Sequence, residues 1–318
     1  MPKVLVFTYH WPPAAGPGVQ RMLKFCKFLP SFGWEPTVIT VKNAAFSSLD
    51  DSLADDVSES IVVHKTKTFE PFALYNLLKG KKGKHVPMGL IGLQNSKSLF
   101  QRISIYLRAN YFIPDARKGW NKYAIAKADE LFKKEKFDAI ITTGPPHSTH
   151  LIGLHLNKKY GIPWVADLRD PWTNVYYNKF FPRTENTCKK DKKLEDSVVQ
   201  NADLVTVVSD GLKDEFQSRA KNIAVIYNGY DDEDLHAEQQ EKTTEKFTLA
   251  YVGNLKPNQN VPALWEVIRA AAAENEEFAS NFQLNFTGNA DDSVVESVQQ
   301  QQLQEMLTRK GYVPHKEA

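Results

Sequence analysis

Residues 3–32, KVLVFTYHWPPAAGPGVQRMLKFCKFLPSF, decide the fold class. Val4 to Tyr9 is a short apolar run rich in β-forming residues and reads as a buried strand. It stops at His10 to Gly18, which holds three prolines and two glycines. Val19, Met22, Leu23, Cys26 and Leu29 then recur at helical spacing, so the order is strand, special loop, amphipathic helix. That is the first βα turn of a nucleotide-type fold. In an open parallel sheet ligands bind outside the carboxyl ends of the strands, and a glycine loop feeding a helix offers backbone N–H groups to an anion. Gly16 and Gly18 are therefore site candidates, against the plainer reading that they only permit a tight turn.

The rest of the composition narrows the class. With 318 residues and 42% hydrophobic content the chain can bury a real core and reads as two domains. Forty Lys plus Arg against 38 Asp plus Glu leave a formal charge of +2, which points to no nucleic acid. No run approaches the ~18 apolar residues of a membrane span, and no signal-like segment precedes the first strand, so the expected location is cytoplasmic. Cys26 and Cys188 lie far apart without metal-like spacing, as in a reducing compartment.

Moving outward, the spacing predicts strands at Thr37–Val41 and Ile61–Val63. A basic stretch from Lys65 to Lys118 follows, with the lysine knot Lys79, Lys81, Lys82 and Lys84. Within it an amphipathic helix carries Leu99, Ile103, Tyr106, Leu107 and Asn110-Tyr111 on one face, with Lys97, Arg102 and Arg108 elsewhere. Two readings stand: docking on an anionic membrane surface, or a helix that packs on its own domain with solvated lysines. Regular βα alternation then resumes, with strands at Phe137–Thr142, Pro163–Leu168, Asp203–Val208 and Ile223–Tyr227. The acidic run Asp231 to Glu245 is taken as a linker, its acids solvated rather than metal-binding. A second series begins with the strand Thr248–Val252, and a helix is expected over Val294–Leu307.

Function should sit at strand ends. After Phe137–Thr142 come Thr143, Gly144, Pro145, Pro146, His147 and Ser148, where His147 could hold a sugar hydroxyl or act as acid or base. His147, His150 and His155 lack metal-ligand spacing. After Pro163–Leu168 come Arg169 and Asp170; Asp167 and Arg169 either pair internally or leave the arginine fork for a phosphate. Pro114 to Trp120, with Asp115 and Arg117, reads as a rigid loop, functional or structural.

The set PPAAGPGVQR, FIPDARKGW, TTGPPHSTHLIG, WVADLRDPW, VIYNGYD and LAYVGNL resembles retaining glycosyltransferases of family 4, over essentially all of the chain. It is most similar to bacterial enzymes that build surface polysaccharides. The resemblance implies a GT-B fold: α/β, two Rossmann-like domains with the active site in the cleft. It implies an acceptor-side domain over residues 1–240 and the first half of a nucleotide-sugar domain over residues 241–318. The donor would be UDP- or GDP-linked, the acceptor a sugar or lipid-linked sugar, with no cofactor and no obligatory metal. The chain would work in the cytoplasm, peripheral on the inner face of the membrane.

Carried over by residue, Gly16, Pro17, Gly18 and Arg21 would lie near donor diphosphate and acceptor. His147, with Asp170, would be catalytic, and Gly144, Ser148 and Asn228 would line the site. Asp115, Arg117 and Arg169 join them, the arginines as ligands of an acceptor phosphate. Gly253, Asn254 and Lys256 would form the diphosphate turn, with Asn254 where the family has arginine and Lys256 standing in for the downstream lysine. The sequence ends before the family's paired glutamates, so the second domain is expected to be incomplete. A sugar- or nucleotide-binding remnant without activity is the alternative. A dinucleotide-dependent oxidoreductase is the third reading, set against the missing G-x-G-x-x-G.

Overall fold

Seven parallel strands carry the first part of the chain: β1 (Lys3–Phe7), β2 (Glu35–Val41), β3 (Val62–Thr66), β4 (Ala139–Gly144), β5 (Trp164–Leu168), β6 (Leu204–Val207) and β7 (Ile223–Val225). The computed structural model describes residues 1–43, 46, 49–69, 99–235 and 246–314. The chain divides into two compact units, Met1–Gly229 and Tyr230–Ala318.

The helices of the first unit are α1 (Pro17–Phe28), α2 (Leu99–Tyr111), α3 (Asn121–Phe132), α4 (His150–Tyr160), α5 (Glu185–Asn201) and α6 (Asp210–Phe216). The sheet order is β3-β2-β1-β4-β5-β6-β7. Strands are added outward from β1 to β3, and the chain then returns to β1's other side with β4. The order thus reverses between β1 and β4, and the crevice at their carboxyl ends is the topological switch point.

Alternation along the strands divides the core into two layers. Val4, Val6 and Val38 pack with Val19, Met22, Leu23 and Cys26 of α1. Leu5, Phe7 and Ile39 pack on the other side with Ala124 of α3 and Ile152 and Leu156 of α4. Both faces are covered, which is why the strands read as continuous apolar runs. Gly16 caps α1 with φ 118° and ψ 165°, a conformation essentially restricted to glycine.

Two expectations about α2 separate here. The helix forms, but the face carrying Ile103, Tyr106, Leu107 and Tyr111 is exposed, at 51% for Ile103 and 72% for Tyr111. Asn110 joins it to the unit, its side chain donating to the Pro182 carbonyl and accepting from Thr184 N–H and Thr187 Oγ1 at the start of α5, and Arg108 lies over the Phe181 ring. The lysine knot at 79, 81, 82 and 84 lies outside the described residues. The acidic run is partly corrected: Asp231 is buried, and its carboxylate accepts from Glu233 N–H in a short turn.

The second unit holds β8 (Phe247–Val252), α7 (Pro262–Glu274), α8 (Glu276–Asn281), β9 (Phe282–Thr287), α9 (Asp292–Gln300) and β10 (Leu307–Lys310). Its parallel sheet has the order β10-β9-β8, over a core of Trp265, Ile268, Leu284, Phe286, Val294 and Val298. The helix expected to run to Leu307 stops at Gln300. Past Val298 the glutamines offer no apolar face, Gln302 turns left-handed at φ 59°, and Leu307 pairs with Leu284 in β10 instead.

Candidate active site

A polar row crosses the carboxyl end of the first sheet. Thr143, Asp167 and Thr206 stand opposite one another on β4, β5 and β6. Both hydroxyls donate to the Asp167 carboxylate at 2.8 Å. The cation that meets this carboxylate is Arg21 of α1, with Nη2 2.9 Å from Oδ1 and both side chains only 2% exposed. Arg21 Nη1 donates onward to the Tyr227 carbonyl and Asn228 Oδ1. Sequence reading weighed Asp167 against its neighbour Arg169, whereas the pair forms across 146 residues. Arg21 and Asn228 are thus engaged in a clamp that ties α1, β5 and the segment after β7 together.

With Asp167 satisfied elsewhere, Arg169 is turned to the switch point. Its Nε donates to Thr143 Oγ1 at 3.2 Å and its Nη2 to the Pro145 carbonyl at 2.9 Å. Its Nη1 lies only 1.7 Å from where a Cβ on Gly18 would sit. The guanidinium therefore occupies the side-chain space that Gly18 leaves open. Gly18 is the second residue of α1, at the end where helix N–H groups lack intrahelical acceptors. Together they present a planar cation and a helix N-terminus to one place, an arrangement suited to a phosphate or carboxylate. Pro17, at the first helical position, gives up no needed donor.

Beside Arg169 stands His147, in the turn between β4 and α4. Its ring lies 4.9 Å from Trp172, nearly parallel at 8°. Trp172 is held in turn, its indole N–H donating to Asp191 Oδ1 at 2.8 Å, and Asp191 also pairs with Arg183. One turn along α5, Glu195 accepts from Thr173 N–H and Oγ1. Burial pushes the His147 imidazole down to about 4, against the Pro171 carbonyl, which accepts from the ring, and Arg169 adds to the depression. His147 is therefore neutral at neutral pH and offers a hydrogen bond rather than a charge.

Asp115 anchors the same turn from outside. Its carboxylate accepts from Ser148 N–H and Oγ at 2.8 Å each and from Arg117 N–H. Burial holds its carboxyl above the usual range despite those bonds. Asp115 and Ser148 thus bind each other, and Asn121 adds a bond to the Ser148 carbonyl. Arg117 lies over the Tyr9 ring, its Cζ 5.3 Å from the centroid. Asp170 is exposed beside Arg169. Gly144 is buried, and a side chain added there would run into His147 and His150.

His10 was missed in the sequence. Burial, then Arg169 and Arg117, pushes its imidazole down to about 4. The available signal was its place, the third residue after that strand. In the second unit, Gly253 ends β8 at φ 133°, Asn254 accepts from Asn289, and the Lys256 side chain is exposed. Among the described residues no group of three or more His, Cys, Asp or Glu could hold a metal ion.

The family model for Glycosyltransferase Family 4 matches residues 74–234. Among solved structures, sucrose-phosphate synthase from Thermosynechococcus elongatus is 14% identical with TM-score 0.58, over 100% of this chain and 72% of that one. Anabaena HepE, solved with UDP and glucose, is 14% identical with TM-score 0.53, over 99% and 70%. TarM from S. aureus is 12% identical with TM-score 0.57, over 98% and 77%. No curated protein matches the chain.

Proposed function

The chain belongs to glycosyltransferase family 4 and has the GT-B type of fold, and from that premise we propose that it transfers a sugar with retention from a UDP- or GDP-linked donor to a hydroxyl acceptor. The acceptor is a sugar or lipid-linked sugar in polysaccharide or glycolipid synthesis, bound on residues 1–240, with residues 241–318 on the donor side. The observation that carries this reading is the Arg169 guanidinium packed into the space left by Gly18 at the N-terminus of α1. Transfer from a diphosphate needs preorganised cations and N–H donors where negative charge develops. It also needs the acceptor hydroxyl held on the departing group's face of the anomeric carbon. Arg169, Gly18 and Arg117 supply the first. His147, with Asp170 at the rim, supplies contacts for the second. HepE, solved with UDP and glucose, supports a nucleotide-sugar donor.

The direct test incubates the protein with UDP-glucose, UDP-galactose, UDP-N-acetylglucosamine and GDP-mannose and a set of sugar and polyprenyl-phosphate-linked acceptors. Nucleoside diphosphate release and the anomeric proton of the product are read by NMR. Turnover with an α-linked product from an α-linked donor is expected. Calorimetric binding of a nucleotide-sugar without turnover would favour the inactive remnant, and an inverted product would remove the retaining mechanism.

We also place the chain peripherally on the cytoplasmic leaflet, through α2. Among the described residues no helix is long and apolar enough to cross a membrane. The exposed Ile103, Tyr106, Leu107 and Tyr111, beside Arg102 and Arg108, form an interfacial rather than a spanning helix. Ile103→Asp with Leu107→Asp is expected to abolish flotation with vesicles of one-third anionic lipid while leaving nucleotide binding unchanged. Equal flotation of the variant, or none of the parent, would remove the membrane role.

A further inference from the structure

Two imidazoles face each other inside the turn from β4 to α4. His150 is fully buried, and its Nδ1 lies 2.9 Å from Thr142 Oγ1. That hydroxyl already accepts the Trp164 indole N–H at 2.8 Å. A threonine hydroxyl has one proton to give, and His150 Nδ1 is the neighbour placed to accept it. The proton of the neutral His150 ring then sits on Nε2. In His147 the Pro171 carbonyl accepts from the ring, while Nδ1 has no protein partner, so Nε2 carries the proton and Nδ1 is an acceptor.

This leaves a donor, His150 Nε2–H, and an acceptor, His147 Nδ1, both sealed from solvent and neither bonded to protein. Both surround one point: a Cβ on Gly144 would lie 2.6 Å from His150 Nε2 and 3.2 Å from His147 Nδ1. The ring centroids are 6.1 Å apart at an interplanar angle of 30°. Leaving two buried polar atoms unmade is costly, and one water within reach of both would satisfy them.

We propose that His150 is a positioning residue for His147: through one bridging water it donates to His147 Nδ1 and so fixes the proton of His147 on Nε2. The bonds then run in one direction, from Trp164 to Thr142, His150, water, His147 and the Pro171 carbonyl. With Nδ1 sealed, the Nε2–H given to the Pro171 carbonyl is the polar edge of His147 left for a substrate, so a sugar oxygen must share that proton or displace the carbonyl, and His147 acts as a donor rather than an acceptor. This consequence rests on the reading of His147 as a sugar contact, whereas the tautomer is a property of the free protein.

The test is long-range 1H–15N correlation NMR of the ¹⁵N-labelled protein at pH 7, with kinetics beside it. The parent should show His147 protonated on Nε2. His150→Gln, which keeps an N–H near the ε position, should preserve that state and most of the activity. His150→Phe should give mixed tautomers and lower kcat about tenfold, as loss of an orienting partner does. Thr142→Val, with the hydroxyl gone but the rings kept, provides the same reading if the phenylalanine fails to fold. An Nδ1-protonated His147 in the parent, or an unchanged Nε2 tautomer in both disruptive variants, overturns the proposal. Tautomers that move as expected while kcat stays constant uphold the relay and remove His147 from the sugar contact.

Discussion

Asp167→Ala is expected to destabilise the first unit by about 3–5 kcal/mol, the usual cost of removing one member of a buried ion pair. The residue lies at the centre of the polar row, where it accepts from Arg21, Thr143 and Thr206. Its loss strands a guanidinium inside the core and takes the acceptor from two buried hydroxyls, groups that find no water there. The pair itself need not be a net source of stability, because two desolvated ions can be matched by apolar residues of similar volume. The double variant Arg21→Met with Asp167→Leu should therefore be less destabilised than Asp167→Ala alone. Urea denaturation followed by far-UV circular dichroism measures both. A shift below about 1 kcal/mol for Asp167→Ala would show that the Arg21 side chain escapes to solvent and that the clamp does not hold the sheet end.

What could be read in advance follows from the range of the interactions. The alternation of short apolar runs with 3.6-period segments is local, so the βα order was legible. The Arg21–Asp167 pair was not, since nothing near either residue names a partner so distant in sequence. A trace existed even so: Thr143, Asp167 and Thr206 are polar residues at the ends of three otherwise apolar strands, and such a row needs a counter-charge. The strand Leu307–Lys310 was hidden because four residues with two basic side chains carry no alternation, and only pairing with β9 makes them a strand. The exposed side of α2 was undecidable for a different reason. An apolar stripe records that something covers it and not whether that cover is protein or lipid. Likewise the roles of Asp115 and Ser148 depended on which groups would be near enough to use up their hydrogen bonds.

Gly18→Ala should lower kcat/KM by about 10²-fold and leave thermal stability nearly unchanged, which separates the site from the scaffold. In most helices this exchange is mildly favourable, since alanine is the better helix former. Here the new methyl would lie 1.7 Å from Arg169 Nη1, a contact only movement of the guanidinium can relieve. That movement costs the bonds to Thr143 Oγ1 and the Pro145 carbonyl. The cation is then displaced from the place where phosphate charge is to be met, and losing one preorganised donor is worth about 10²–10³ in rate. Arg169→Ala should fall by a similar factor. Arg169→Lys should recover little, because a point charge on a flexible stem does not reproduce a fork fixed by two bonds. The double variant Gly18→Ala with Arg169→Ala decides the matter. If the two residues act through one guanidinium, it should be no worse than either single variant, and independent losses would multiply to about 10⁴-fold. Multiplying losses would mean that Gly18 serves the reaction by its own backbone N–H, with Arg169 acting separately at the same strand ends.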